Sequence, residues 1–479
     1  MLSTLSIVED LDSVFGAGNY TIDTAPSFID DPGTINLNGG FDGSADTELL
    51  LNTSTLSAAD TAQIRIVVDV TNVIDQGMGL GHYENQVFLH GAGPSDQYVY
   101  DYSDDGIDPD PNGNGDARGS GEDDVTSFVL SDAVLGVAKN VSVFGAEVTF
   151  DYYIENLGNI NLTDVHLVED LDSVFGTGNY TVISGPERIT QPRLLIENSD
   201  FNGSSDTDLF DSGSLAALVA EQFRIVVRVD QVTDRGSGLG VYSNQVIVSA
   251  TDPNLVMVSD LSDSGTDPDP TGNSKSDDAG EDDPTLFTLT QDFGDAPDPT
   301  YPTLLASNGA RHTTGGTLYL GSSVDDETDG QPGANSDGDD TNGGDDEDGV
   351  TFLPNSGTSV TDLILGATKP IEVLASDSGL LNAWVDFNGD GDWDDSGEKI
   401  FSDRSLSGGT NNLNFYVPSN ATTGMTFARF RISSASGLAP TGAAIDGEVE
   451  DYQVTIYDLD FGDAPDPTYP TLLSSNGAR

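Results

Sequence analysis

The sequence predicts an all-β protein built as tandem β-sandwich modules of immunoglobulin-like type, joined by acidic Gly/Pro-rich loops. Domain-length internal repeats, short alternating runs of β-branched and aromatic residues, and turn residues bounding those runs carry this reading. VEDLDSVFGAGNYT at residues 8–21 returns as VEDLDSVFGTGNYT at 168–181, and DFGDAPDPTYPTLLASNGAR at 292–311 returns as DFGDAPDPTYPTLLSSNGAR at 460–479. The offsets, 168 − 8 = 160 and 460 − 292 = 168 residues, far exceed the roughly 20–50 residues of a solenoid unit. Each repeat should therefore be a module with its own core.

Comparing the copies divides the chain. Residues 132–167 lead into the second VEDLDSVFG copy, whereas seven residues precede the first. The reading is an immunoglobulin-like repeat lacking its opening strands at 1–131, a complete repeat at 132–290, a different β module at 291–458, and the head of a further, truncated module at 459–479.

The strands follow in order. QIRIVVDV (63–70), NQVFLHG (85–91), AEVTFDYYIENLG (146–158), FRIVVRVD (223–230) and NQVIVSA (244–250) are rich in Val, Ile, Phe and Tyr and bounded by Gly, Asn, Asp and Pro, which is the strand signature. No segment of helical period and convincing length appears. Turn signals recurring every 8–12 residues or so fit a sandwich without the cysteine pair of antibody domains. The third module adds strands in NAWVDFN, NLNFYVP, FARFRIS and DYQVTIY. Between the modules lie DYSDDGIDPDPNGNGDARGSGEDD (101–124) and DLSDSGTDPDPTGNSKSDDAGEDD (260–283), whose prolines and glycines make them loops or linkers.

Composition narrows the function. Sixteen Lys and Arg against 82 Asp and Glu leave a net charge of −66, strongly repulsive for a compact chain. That excludes a nucleic-acid partner, which needs basic patches, and disfavours an anionic membrane surface. With 36% hydrophobic residues in alternating runs, the chain can still bury cores. It has no cysteine, hence no disulfide scaffold or thiolate metal site, and no apolar run of membrane-spanning length.

A cationic partner is then expected, and calcium is the natural one. In WVDFNGDGDWDDSGE (384–398), Asp386, Asn388, Asp390 and Asp392 stand at alternate positions with Gly391 after the third, as at the start of an EF-hand-type loop. The acidic residue expected at position 12 falls one later, at Glu398. Asp101, Asp104, Asp105, Asp108 and Asp110 in one seam match Asp260, Asp263, Asp267 and Asp269 in the other, with Glu122, Asp123 and Asp124 matching Glu281, Asp282 and Asp283. The densest run, 337–349, holds seven carboxylates in thirteen residues, including Asp337, Asp339, Asp345, Asp346 and Asp348. A divalent ion turns such repulsion into a cross-link.

Catalytic readings fail. DFG at 292–294 lacks every other kinase signature, no GxSxG elbow occurs, and His82, His90, His166 and His312 show no ligand spacing. Acidic pairs are too abundant for any one to mark a glycosidase. The expectation is no enzyme.

DFGDAP, NGARH, DDEDGV, LNAWVDFNGDGDW, FARFRIS and GEVEDY follow one another between residues 292 and 452, and 291–457 resembles the GEVED module of large bacterial secreted and surface proteins. Residues 1–290, with NLTDVHLVEDL, FNGSSDTDLF, YSNQV and SDSGTDPDP, resemble the immunoglobulin-like repeats of the same proteins. The resemblance implies an extracellular or cell-surface, adhesin-like parent in which such modules are stalk units. A second reading is a recognition module binding surface glycans along an edge near Trp384 and Trp393.

Overall fold

The computed structural model describes residues 1–119, 121–191, 194–338, 347–355, 359–460, 462–472, 475 and 477. It is almost entirely β, as the alternating runs require.

The complete repeat is a two-sheet sandwich. One sheet orders Tyr180–Arg188, Ala220–Val229, Glu147–Asn156, Leu135–Phe144 and Asp263–Ser264; the other orders Leu195–Glu197, Phe210–Leu215, Leu162–Val168, Ile247–Thr251 and Met257–Leu261. Alternate residues of these strands, such as Val148, Phe150, Tyr152 and Ile154 with Phe223, Ile225, Val227 and Val229, fill the space between. A ribbon of Val241–Asn244 and Thr285–Thr288 closes one end.

The first repeat keeps only part of this frame. Its sheet of Thr55–Leu56, Leu2–Val8, Phe88–Ala92 and Tyr98–Tyr102 faces the pair Tyr20–Asp30 and Gln63–Val70. Among the described residues Gln63–Val70 pairs on one edge alone, whereas its counterpart Ala220–Val229 is paired on both. On this singly paired strand Ile64, Ile66, Val68 and Val70 are half-buried, while Phe223, Ile225, Val227 and Val229 are fully buried.

Both repeats contain an element that strand periodicity did not foresee. Leu11–Phe15 and Leu171–Phe175 are single helical turns. Asp10 and Asp170 cap them by accepting the Ser13 and Ser173 amides at 3.1 Å, and glycines at φ 81° and 87° end them. Leu171, Val174 and Phe175, spaced i, i+3, i+4, all point into the core. Their shortness hides them from any window suited to longer helices.

The repeats touch through Asn159. Its Nδ2 donates to the carbonyls of Leu80 (3.0 Å) and Leu130 (2.7 Å), and its Oδ1 accepts the Asp132 amide at 2.8 Å.

In the third module, a five-stranded sheet of Asp362–Ile364, Glu448–Tyr457, Gly424–Ser433, Gly379–Val385 and Lys399–Leu406 packs on Val350–Phe352, Thr368–Ala375 and Gly409–Tyr416. The head of the module, Gln291–Phe293 with Arg311–Thr313, runs beside Ala443–Ala444 in a third, small sheet. The second head copy forms the same turn: Thr303 N–H and Thr471 N–H donate to Asp298 and Asp466, at 3.0 and 2.9 Å.

Candidate metal sites

The EF-hand-like loop leaves strand Gly379–Val385 and brings two of its carboxylates inward. Asp386 is fully buried; its Oδ1 accepts the Gly389 amide (2.6 Å), and its Oδ2 accepts the Gly391 amide (3.0 Å) and the Tyr301 hydroxyl (2.6 Å). Glu398 is also buried and accepts the Phe387 and Asp395 amides at 3.1 and 3.3 Å. Burial, with Asp386 adding repulsion, pushes its carboxyl up to about 7. Asn388, Asp390 and Asp392 stay exposed at the loop surface, with Asn388 Nδ2 donating to Asp390 at 2.9 Å. Backbone amides and Tyr301 thus engage the inner oxygens, while the outer ligand candidates face solvent.

The seams bring their two halves together. Burial first, then Glu281, Asp282, Asp283 and Asp267, pushes Asp263 up to about 7; burial pushes Asp260 up to about 8 although its Oδ2 accepts the Val137 amide at 2.7 Å. The first seam repeats this more weakly. Asp101 rises to about 6 through burial and the charges of Asp123 and Asp104, and Asp104 rises by burial and by Asp123 and Asp124. Asp105, Asp108 and Asp267 are exposed. Asp110 and Asp269 organise the loop tips: Asp110 accepts the Asn114 and Gly115 amides (3.1 and 2.9 Å), and Asp269 those of Asn273 and Ser274 (3.1 and 2.7 Å).

In the acidic run, Asp337 accepts from Asn335 Nδ2 at 3.1 Å and Asp348 from the Ser322 amide at 2.9 Å. Asp339, Asp345 and Asp346 lie outside the described residues.

Sequence reasoning missed the tightest group. Among the described residues, one set of three carboxylates has ligand oxygens all within 4.8 Å of one another: Asp292, Asp325 and Glu327. Asp292 comes from the DFGDAP motif, and Asp325 and Glu327 from VDDET, 33 residues further on. Tertiary pairing joins them, because Gln291 bridges Glu327 across the strands. Phe293 N–H donates to Glu327 at 2.9 Å and Val449 N–H to Asp292 at 2.7 Å. Burial and the neighbouring Asp325 and Asp292 hold the Glu327 carboxyl far above its ordinary range. The i, i+2 spacing of Asp325 and Glu327 was the available signal, yet nothing local connects it to Asp292.

Around this group the acidic letters of GEVEDY turn inward. Glu448, Glu450 and Asp451 are buried; Glu450 accepts the Gly349 amide at 2.7 Å and the Tyr452 hydroxyl at 3.0 Å. Buried His312 donates from Nδ1 to the Asp446 carbonyl (2.7 Å) and accepts from Arg431 Nε at Nε2 (2.9 Å). Burial and the Arg431 charge hold its pKa well below the usual imidazole value, so it is a neutral strut.

The tryptophans correct an expectation. Trp384 and Trp393 are 2% and 3% exposed. Trp384 lies under Lys399, and Trp393 lies between Arg429 and Tyr301. Neither offers a face on which a sugar could stack, because the module head covers them.

No curated protein matches the chain. Among solved structures it is similar to BcpA, the major pilin subunit of Bacillus cereus, at 8% identity over 91% of this chain and 93% of that one, with a TM-score of 0.24. It is also similar to red sea bream transglutaminase (9% identity, 83% and 40% covered, TM-score 0.17) and to the CupB6 tip adhesin of Pseudomonas aeruginosa (9%, 68% and 100%, TM-score 0.17). None of these overlays is close enough to transfer a function. Residues 380–455 match the GEVED domain family.

Proposed function

We propose that this chain is a non-enzymatic, extracellular structural segment of an adhesin-like protein, whose β modules are stiffened by calcium held at acidic loops. The observation that carries the reading is the Asp292–Asp325–Glu327 group, three carboxylates within 4.8 Å at the joint between the module head and its sandwich. Like charges so placed repel, and a hard divalent cation with oxygen ligands relieves that repulsion. The seams support the same reading, since Asp260 and Asp263 are buried beside Glu281 and Asp282 where one module passes into the next. Sites of extracellular type, with Kd of roughly 0.1–1 mM, would each stabilise their module by about 1.4–2.7 kcal/mol at about 10 mM calcium.

Equilibrium dialysis against CaCl₂ tests the assignment. The expected result is saturable binding that falls by about one ion per chain in the Asp292→Asn/Glu327→Gln double variant. Equal binding by both proteins would remove calcium from this group.

A further inference from the structure

The core of the complete repeat holds polar side chains, Lys139, Glu169 and Asn244 among them, that sandwich packing does not require. Lys139, on strand Leu135–Phe144, and Glu169, just after strand Leu162–Val168, are fully buried, and Lys139 Nζ donates to Glu169 Oε2 at 2.5 Å. The hydroxyl of Tyr152, paired with Lys139 across the sheet, reaches the same oxygen at 2.6 Å. The ammonium lies 4.3 Å from the centroid of the Phe150 ring. Asn244, on strand Val241–Asn244, is 2% exposed, and its Nδ2 has no hydrogen-bond partner among the described residues. A buried amide N–H₂ without an acceptor is costly and rare.

Register places Asn244 against the other two. It lies directly opposite Thr285, whose Oγ1 donates to the Lys139 carbonyl at 2.9 Å. Side chains directly opposite in an antiparallel pair share a face, so Asn244 points toward the strand that bears Lys139. Extending the pairing of Val168 with Ile247 sets Glu169 opposite Val246, two residues from Asn244. In the first repeat the counterparts of Glu169 and Asn244 are Glu9 and Asn85: burial raises the Glu9 carboxyl and the nearby Asn85 side chain opposes that shift.

We propose that Lys139 and Asn244 are joined by an intramolecular isopeptide bond, formed by the folded module itself with Glu169 as the proton-transferring group. Lys139 Nζ attacks Asn244 Cγ, the Cγ–Nδ2 bond breaks, and ammonia leaves. The proton given up by Nζ passes through Glu169 to the departing Nδ2, so lysine amine and asparagine amide give a secondary amide and NH₃ with no oxidant or cofactor. The attack needs a neutral amine, and burial among aromatic rings supplies one by lowering the Lys139 pKa to about 8. The bond would tie strand Leu135–Phe144 to strand Val241–Asn244, across more than 100 residues of chain, and would resist extension in a way calcium alone does not.

Intact-mass measurement and peptide mapping of the purified full chain decide the matter. The expected result is a mass about 17 Da below the sequence value, the loss of one ammonia, and one branched peptide linking Lys139 to Asn244. Glu169→Ala is expected to restore the full mass and two separate peptides. Unbranched Lys139 and Asn244 peptides from the native chain would overturn the proposal whether or not the variant folds, and that outcome would leave the calcium reading untouched.

Discussion

Arg429 and Asp451 face each other across strands Gly424–Ser433 and Glu448–Tyr457 and are joined by two hydrogen bonds, Nε to Oδ1 at 2.7 Å and Nη2 to Oδ2 at 2.6 Å, with both side chains fully buried. The pair also holds the module head. Arg429 Nη1 donates to the Pro302 carbonyl (2.8 Å), and Asp451 Oδ2 accepts the Ala296 amide (2.9 Å). The last letters of GEVED are therefore a clasp between DFGDAPDPTYP and the sandwich.

Removing one member leaves the other charge buried and uncompensated. Asp451→Ala should destabilise the third module by roughly 3–5 kcal/mol. The chain's two tryptophans, Trp384 and Trp393, both lie in this module, so urea unfolding of the full chain followed by tryptophan fluorescence reads it selectively. A midpoint unchanged from the native chain would refute the clasp.

Asn159 couples the two repeats. Asn159→Ala removes its bonds to Leu80, Leu130 and Asp132, worth roughly 1.5–4.5 kcal/mol together at the usual net value per bond. The connection around residues 130–134 should become several-fold more sensitive to proteolysis, while the interior of the complete repeat keeps its resistance. Equal cleavage rates in both proteins would show that Asn159 does not hold the junction.

Glu9 gives the first repeat a pH dependence. Burial raises its pKa, the Asn85 hydrogen bond lowers it, and Asp10 raises it, with a net upward shift. A carboxyl whose folded pKa lies above its unfolded value contributes stability that is complete below the unfolded value and is lost as pH rises through the folded one. Glu9→Gln should therefore increase hydrogen-exchange protection of His82–Asn85 and Thr126–Val129 at pH 7 and make little difference near pH 4. A larger gain at pH 4 than at pH 7 would reverse the sign of the argument.

The regular framework was legible in the sequence because burial there alternates along the chain. QIRIVVDV forms the strand Gln63–Val70, and AEVTFDYYIENLG contains Glu147–Asn156. In the first repeat the same alternation appears along Gln63–Val70, where Ile64 and Ile66 are half-buried. The site was legible only in part. Acidic loops announce themselves by density, but Asp292 meets Asp325 and Glu327 through pairing of distant strands. Glu448, Glu450 and Asp451 look like surface charge until the head folds over them. The same covering hides Trp384 and Trp393, whose type alone had pointed to a glycan edge.

The most direct test of calcium stiffening is a thermal melt of the full chain, followed by tryptophan fluorescence, in about 10 mM CaCl₂ and again after excess chelator. The energies expected for one site correspond to a rise of roughly 3–10 °C in Tm for a module of this size, reversed by the chelator. Superimposable melts in calcium and chelator would contradict the account.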